Sequence, residues 1–159
     1  MTEVTGLSNE TVPWALMLWG AGIVLGNLIG GPLADRGLTP AIFAMLAWNV
    51  VFLGLFTLVA GNTPSALAVL FLIGAGFALV PALQTRLMRV AGRSQTLAAA
   101  LNHSAFNVSN ALGAAAGGAG ISTGLGWAST AWIGMFFGIA GIALMALTVT
   151  SAKKQPNSG

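Results

Sequence analysis

The stretch GNLIGGPLADRG, Gly26 to Gly37, begins inside an apolar run and ends on a charged pair, Asp35 and Arg36. Asp35 is one of only three acidic residues in the 159-residue chain, and it stands where the hydrophobic segment stops. A bilayer explains that placement, because a charge at the membrane centre costs roughly 2.5–3.5 kcal/mol on insertion scales while one at the boundary keeps its water. Upstream, Gly22, Gly26 and Gly30 recur every four residues, which on a helix puts three positions without side chains on one face and admits a close neighbour. Gly31 and Pro32 then weaken the helix. Asp35 and Arg36 emerge at the surface, either as an ordinary interfacial ion pair or as something more specific.

The rest of the chain agrees with a membrane setting. Hydrophobic residues make up 56% of it, charged residues 6%, and the mean hydropathy is +0.86. A soluble domain of this length carries far more surface charge. Five runs are long enough, at about 1.5 Å per residue, to cross a hydrocarbon layer of roughly 30 Å. They lie at about 12–33, 41–60, 65–83, 96–121 and 127–150, with a short solvated tail at 151–159. The segments between them carry turn chemistry: RGLTP at 36–40, GNTP at 61–64, QTRLMRVAGRSQ at 84–95 and STGLG at 122–126. The fold class is therefore all-α, a polytopic membrane protein. Its 22 glycines suit helices that approach one another closely in lipid.

The six basic residues follow alternate runs: Arg36, then Arg86, Arg89 and Arg93, then Lys153 and Lys154. The second and fourth breaks have none. This is the positive-inside pattern, and it predicts an outer N-terminus and a cytoplasmic C-terminus in a cell membrane. The formal charge of +3 then belongs to a cytoplasmic rim facing anionic lipid, not to a nucleic-acid surface. Trp14, Trp19 and Trp127 fall near the outer helix ends, where indole favours the interface.

Other chemistry is sparse. Without cysteine there is no disulfide, thiol nucleophile or thiolate metal site. The acidic, polar N-terminus lacks the shape of a signal peptide. No nucleophile–base pair or metal cluster supports an enzyme, and nothing calls for a cofactor. The glycosylation patterns NET at 9–11 and NVS at 107–109 read as chance matches.

Gly31, three residues, then Asp35 and Arg36 resembles the loop signature of the major facilitator superfamily of transporters, between the second and third helices of each six-helix half. Leu38, Thr39 and Pro40 stand where the fuller signature has further glycine and basic residues. The resemblance extends along VTGLSNETVPWALMLWGAGIVLGNLIGGPLADR, which is similar to the loop after helix seven and helix eight. It continues in PALQTRLMRVAGRSQTLAAALNHSAFNVSNALGAAAGGAGI, similar to the end of helix ten, its loop and helix eleven. It is strongest to the drug and sugar efflux branch that includes arabinose-efflux and chloramphenicol-efflux types. By this resemblance residues 1–150 are a partial C-terminal bundle, helices eight to twelve, whose partner half is missing. The short matches GNLIG at 26–30 and SNALG at 109–113 would occupy the middle helix of each three-helix repeat.

The fourth run carries the richest polar chemistry. At 100° per residue His103, Asn107 and Asn110 fall within about 60° of one another and make a stripe on one face. Such a stripe avoids lipid, either as glue between helices or as the wall of an aqueous cavity where Asn107 and Asn110 hydrogen-bond a substrate. His103, the only histidine, is read as a hydrogen-bonding residue. Asn27 and Asn49 read as glue, and Pro81, with Gly74 and Gly76, as a kink. Gly31, Asp35 and Arg36 are the gating-loop residues that the resemblance implies. The function expected is export of a small organic solute by proton antiport and alternating access, the chain acting with its missing half or as a homo-oligomer. The alternatives are a membrane-embedded interaction protein pairing with another transporter half or with itself, and an inactive truncated product.

Overall fold

Small and apolar residues from Val12 onward hold one helix without a break, and Gly26 to Arg36 stay inside it. A computed structural model describes residues 12–154, and there α1 spans Val12–Arg36. The expected weakening at Gly31 and Pro32 does not end the helix. Pro32 removes one backbone donor, yet the turn continues to Arg36 because the following residues favour helix and the chain reverses only at Gly37. Helix α2, Leu38–Val59, begins at once. Leu38, Thr39 and Pro40, expected in a loop, form its first turn, where proline's missing N–H is no loss.

Asn62 starts the third span: its Oδ1 accepts from the Ser65 backbone N–H at 3.2 Å and from the Ser65 hydroxyl at 3.0 Å. That span consists of α3, Thr63–Ala75, a single 3₁₀ turn at Gly76–Ala78, and α4, Leu79–Val90. Pro81 has no N–H for the Phe77 carbonyl, and the helix tightens just before it. Two side chains of α2 meet the irregular segment. The Trp48 indole donates to the Leu72 carbonyl at 2.7 Å, and the Asn49 amide donates to the carbonyls of Met45 at 2.9 Å and Gly76 at 3.1 Å. Asn49 is thus the interhelical glue expected of it.

The basic segment 84–95, expected as a loop, is mostly helix. Nothing between Ala82 and Ala91 breaks α4, and the chain turns only where Gly92 adopts φ 55°, a conformation that costs a side-chain-bearing residue about 1 kcal/mol or more. After a 3₁₀ turn at Gly92–Ser94, α5 runs Gln95–Ser122 and α6 runs Ser129–Lys154. Residues 1–11, with the acidic terminus and the NET pattern, and residues 155–159 of the tail lie outside the description.

Among the described residues, four segments are long and apolar enough to cross a membrane: Val12–Arg36, Leu38–Val59, Thr63–Val90 and Ser129–Ala152. Helix α5, with 28 residues, has the length. It falls short in apolarity because Asn102, His103, Ser104, Asn107, Ser109 and Asn110 crowd its first half and middle. The five expected runs are thus all helical, and among the described residues four of them are long and apolar enough to be membrane spans.

Packing is set by glycines. A Cβ on Gly22 would collide with the Phe71 carbonyl, one on Gly26 with the backbone of Ala75, and one on Gly74 with the Trp19 carbonyl, so α1 and α3 touch main chain to main chain. On the other side, Gly134 and Gly138 of α6 receive Leu53 and Val50 of α2. The main buried cluster, around Ala41, Ile42, Met45, Ala78, Ala82 and Met145, joins α2, the third span and α6 at the end where Arg36, Arg86 and Lys154 lie.

Candidate functional site

Helical spacing puts Ile23, Asn27, Gly31 and Asp35 of α1 in one row, and that row forms one wall of a cleft of about 670 Å³ against the third span. Asn27 lies nine residues, or about 13 Å, inside the helix from Arg36 and shares the deep part with Phe77. Asp35, Thr85 and Arg89 line the mouth at the basic end. Gly31 faces open space, with nothing among the described residues within 4 Å of a Cβ built on it. Asn27, expected as glue, is exposed and has no hydrogen-bond partner among the described residues. It belongs to the cleft.

The signature residues divide. Gly31 and Asp35 stand one helical turn apart in the cleft wall, while Arg36 is exposed and outside it. Among the described residues Asp35 makes no ion pair, so the interfacial pair with Arg36 does not form. Adjacent residues on a helix point about 100° apart, which sends the two charges in different directions.

On α5 the three stripe residues do share a face. His103, Asn107 and Asn110 are all exposed, and none has a hydrogen-bond partner among the described residues. Their serine neighbours behave differently: the Ser104 hydroxyl donates to the Ala100 carbonyl at 3.0 Å and the Ser109 hydroxyl to the Ala105 carbonyl at 2.8 Å. A hydroxyl can satisfy itself on its own helix, but an exposed asparagine or imidazole here must find water, solute or another chain. From Asn107 to Ala115 every residue is exposed. The stripe does not enter the cleft beside Asp35.

What connects the two surfaces is aromatic. Phe77, in the 3₁₀ turn, stands edge-on to Trp19 of α1, with ring centroids 6.1 Å apart, and edge-on to Phe106 of α5, at 6.2 Å. Each such pair contributes about 0.5–1.5 kcal/mol beyond its buried area. Trp19, expected as an interfacial anchor, is half-buried and holds this chain of rings. Phe77 and Phe106 were not legible as site residues from composition. Phe106 has one signal, its place on α5 about 60° from His103 and 40° from Asn110. Arg86 was legible only as a loop charge, yet its Nη1 donates to the Thr39 hydroxyl at 2.8 Å and ties α4 to the start of α2.

A cleft flanked by an unsatisfied polar helix, in an all-helical set of membrane spans, can be set against known proteins. The family model for the Major Facilitator Superfamily matches residues 1–159. The chain belongs to that superfamily. Among curated relatives, the inner membrane transport protein YdhP of Escherichia coli K12 is 42% identical over 159 residues, covering 99% of this chain and 40% of the relative. The putative transporter AraJ of the same strain is 33% identical over 130 residues, 80% of this chain and 33% of the relative. A chloramphenicol resistance protein of Streptomyces lividans is 33% identical over 129 residues, 79% of this chain and 31% of the relative. The chain thus spans 40% or less of the length of each of these relatives. No solved structure matches it. The molecule is a multi-pass membrane protein of a transporter superfamily.

Proposed function

We propose that the chain is the C-terminal portion of a secondary-active efflux permease that exports a small organic solute, drug or sugar, by proton antiport and alternating access. The observation that carries this reading is the face of α5. Among the described residues His103, Asn107 and Asn110 lie unsatisfied and uncovered on α5, and lipid is the one environment such groups avoid. A central cavity shared with a second bundle supplies both water and solute, and in transporters built from repeats the substrate site lies at that interface. Asn107 and Asn110 then hydrogen-bond the solute, with His103 on the same face. Asn27 and the ring of Phe77 extend the wall toward the cleft, whose mouth holds Asp35 as the gating residue. The relative named for chloramphenicol resistance supports the efflux direction.

A lone bundle has nothing to rock against. Vesicles containing only the 159-residue chain should therefore show no saturable, gradient-driven uptake, and co-expression with a matching N-terminal half should restore it. Asn107→Ala combined with Asn110→Ala should abolish the restored transport without lowering the amount of inserted protein. Saturable transport by the purified chain alone would defeat the proposal and favour a self-sufficient oligomer.

In the same proposal the basic end faces the cytoplasm. Single cysteines at Asn62 and Gly124 should label in intact cells, and one at Gly92 only after permeabilisation. Labelling at Gly92 in intact cells would invert the orientation.

A further inference from the structure

Away from the cleft, α2, α4, α5 and α6 enclose a second groove, of about 590 Å³, at the basic end of the bundle. Its walls are mostly aliphatic: Leu46 of α2, Leu83 and Leu87 of α4, and Leu144 and Met145 of α6. Besides Thr148, two polar side chains interrupt them, Arg86 and Asn102. Thr148, also in the wall, already donates its hydroxyl to the Met145 carbonyl at 2.8 Å.

Both interruptions have capacity to spare. A guanidinium carries five N–H donors, and Arg86 commits one of them, to the Thr39 hydroxyl. That bond fixes the side chain at the groove and leaves a planar fork suited to phosphate. Asn102 is half-buried and has no hydrogen-bond partner among the described residues.

Depth along the helices orders these features. Arg86 lies four residues from the end of α4 at Val90, about 6 Å inward, and Asn102 lies seven residues from the start of α5 at Gln95, about 10 Å inward. The order from surface to interior is therefore cation, then amide, with aliphatic wall alongside and beyond. A glycerophospholipid has the same order: phosphate, ester carbonyl, acyl chain. Among the described residues no acidic side chain lines the groove, and Arg89 and Arg93 add positive charge on the neighbouring turns.

We infer that this groove binds one anionic phospholipid from the leaflet at the basic end, its phosphate on Arg86, an ester carbonyl on the Asn102 amide, and an acyl chain along Leu46, Leu83 and Leu144. The site is independent of the transport reading, since none of its residues lines the cleft or belongs to the His103, Asn107, Asn110 face. A lipid seated there joins four helices, of which α5 has the least covering of its own.

The test is native mass spectrometry of the full 159-residue chain in mild detergent, titrated with phosphatidylglycerol or phosphatidylcholine carrying identical acyl chains. One phosphatidylglycerol should be retained at a concentration at least about tenfold below that needed for phosphatidylcholine. Arg86→Gln should erase the difference, Arg86→Lys should keep part of it, and Arg93→Gln, outside the groove, should leave it intact. Circular dichroism identifies a variant that fails to fold. In that event Asn102→Leu, which removes no charge, must weaken phosphatidylglycerol retention by itself. Equal retention of the two lipids would overturn the inference. So would equal losses for Arg86→Gln and Arg93→Gln, which indicate diffuse rim charge, or full competition by water-soluble glycerol phosphate, which indicates a phosphate site without a chain slot.

Discussion

The seam between α1 and α3 and the middle of α5 are opposite solutions for a glycine-rich membrane helix. At the seam, Gly22, Gly26 and Gly74 are filled by the partner's carbonyl groups, and Gly30 meets the Ala78 methyl group, where an added Cβ would lie 2.5 Å away. On α5, Gly113 and Gly118 meet nothing among the described residues within 4 Å of an added Cβ, whereas Gly117 and Gly120, near the turn into α6, touch side chains of that helix. The same residue type therefore does two jobs. In the first region it lets backbones meet and gain dispersion contacts that lipid cannot displace. In the second, with polar side chains interspersed, it keeps a surface narrow and wettable without filling it.

The largest test of this contrast is a matched pair. Gly26→Leu should remove most of the folded protein, because its side chain would have to occupy the Ala75 backbone; the cost lies at or above the roughly 1–3 kcal/mol of ordinary overpacking. Gly113→Leu should change stability by no more than about 0.5 kcal/mol, as for other open surface positions. Detergent-solubilised yield and thermal unfolding measure both. Comparable losses would mean that α5 is as closely packed as α1, and the contrast would collapse.

A smaller effect separates polar groups by task. In the complete transporter Asp35→Asn should reduce transport several-fold while leaving accumulation near that of the parent, since the carboxylate has no ion pair to lose among the described residues. Unchanged transport kinetics would make Asp35 a bystander at the boundary.

The smallest expected effect concerns Asn49, whose amide donates to the Met45 carbonyl of its own helix and across to the Gly76 carbonyl of the irregular third span. Asn49→Ala should lower stability by about 0.6 kcal/mol, and by no more than about 1.7, the range measured for hydrogen bonds between membrane helices. Its transport effect should be the reverse of the Asn107 and Asn110 case, slight and no greater than the loss of folded protein. A specific transport defect at Asn49 would move it from the packing network into the solute path.

Residue chemistry along the chain was enough to establish the membrane setting, the helical spans and the family resemblance. Apolar run length is read directly by the bilayer, and backbone groups in lipid leave helix as the way for such runs to satisfy their hydrogen bonds. The stripe of His103, Asn107 and Asn110 was legible for a similar reason, since helical periodicity fixes which residues share a face. Periodicity does not say what covers that face. Only the tertiary structure separated Asn27, open on the cleft, from Asn49, bonded to Gly76, two residues that look alike as lone asparagines in apolar runs. Only there did Trp19, Phe77 and Phe106, 58 and 29 positions apart, become one aromatic chain, and only there did Arg86 leave its expected loop to anchor on Thr39. Contacts of that kind depend on which helices become neighbours, and glycine placement sets that through backbone approach, a term with no periodicity of its own to read.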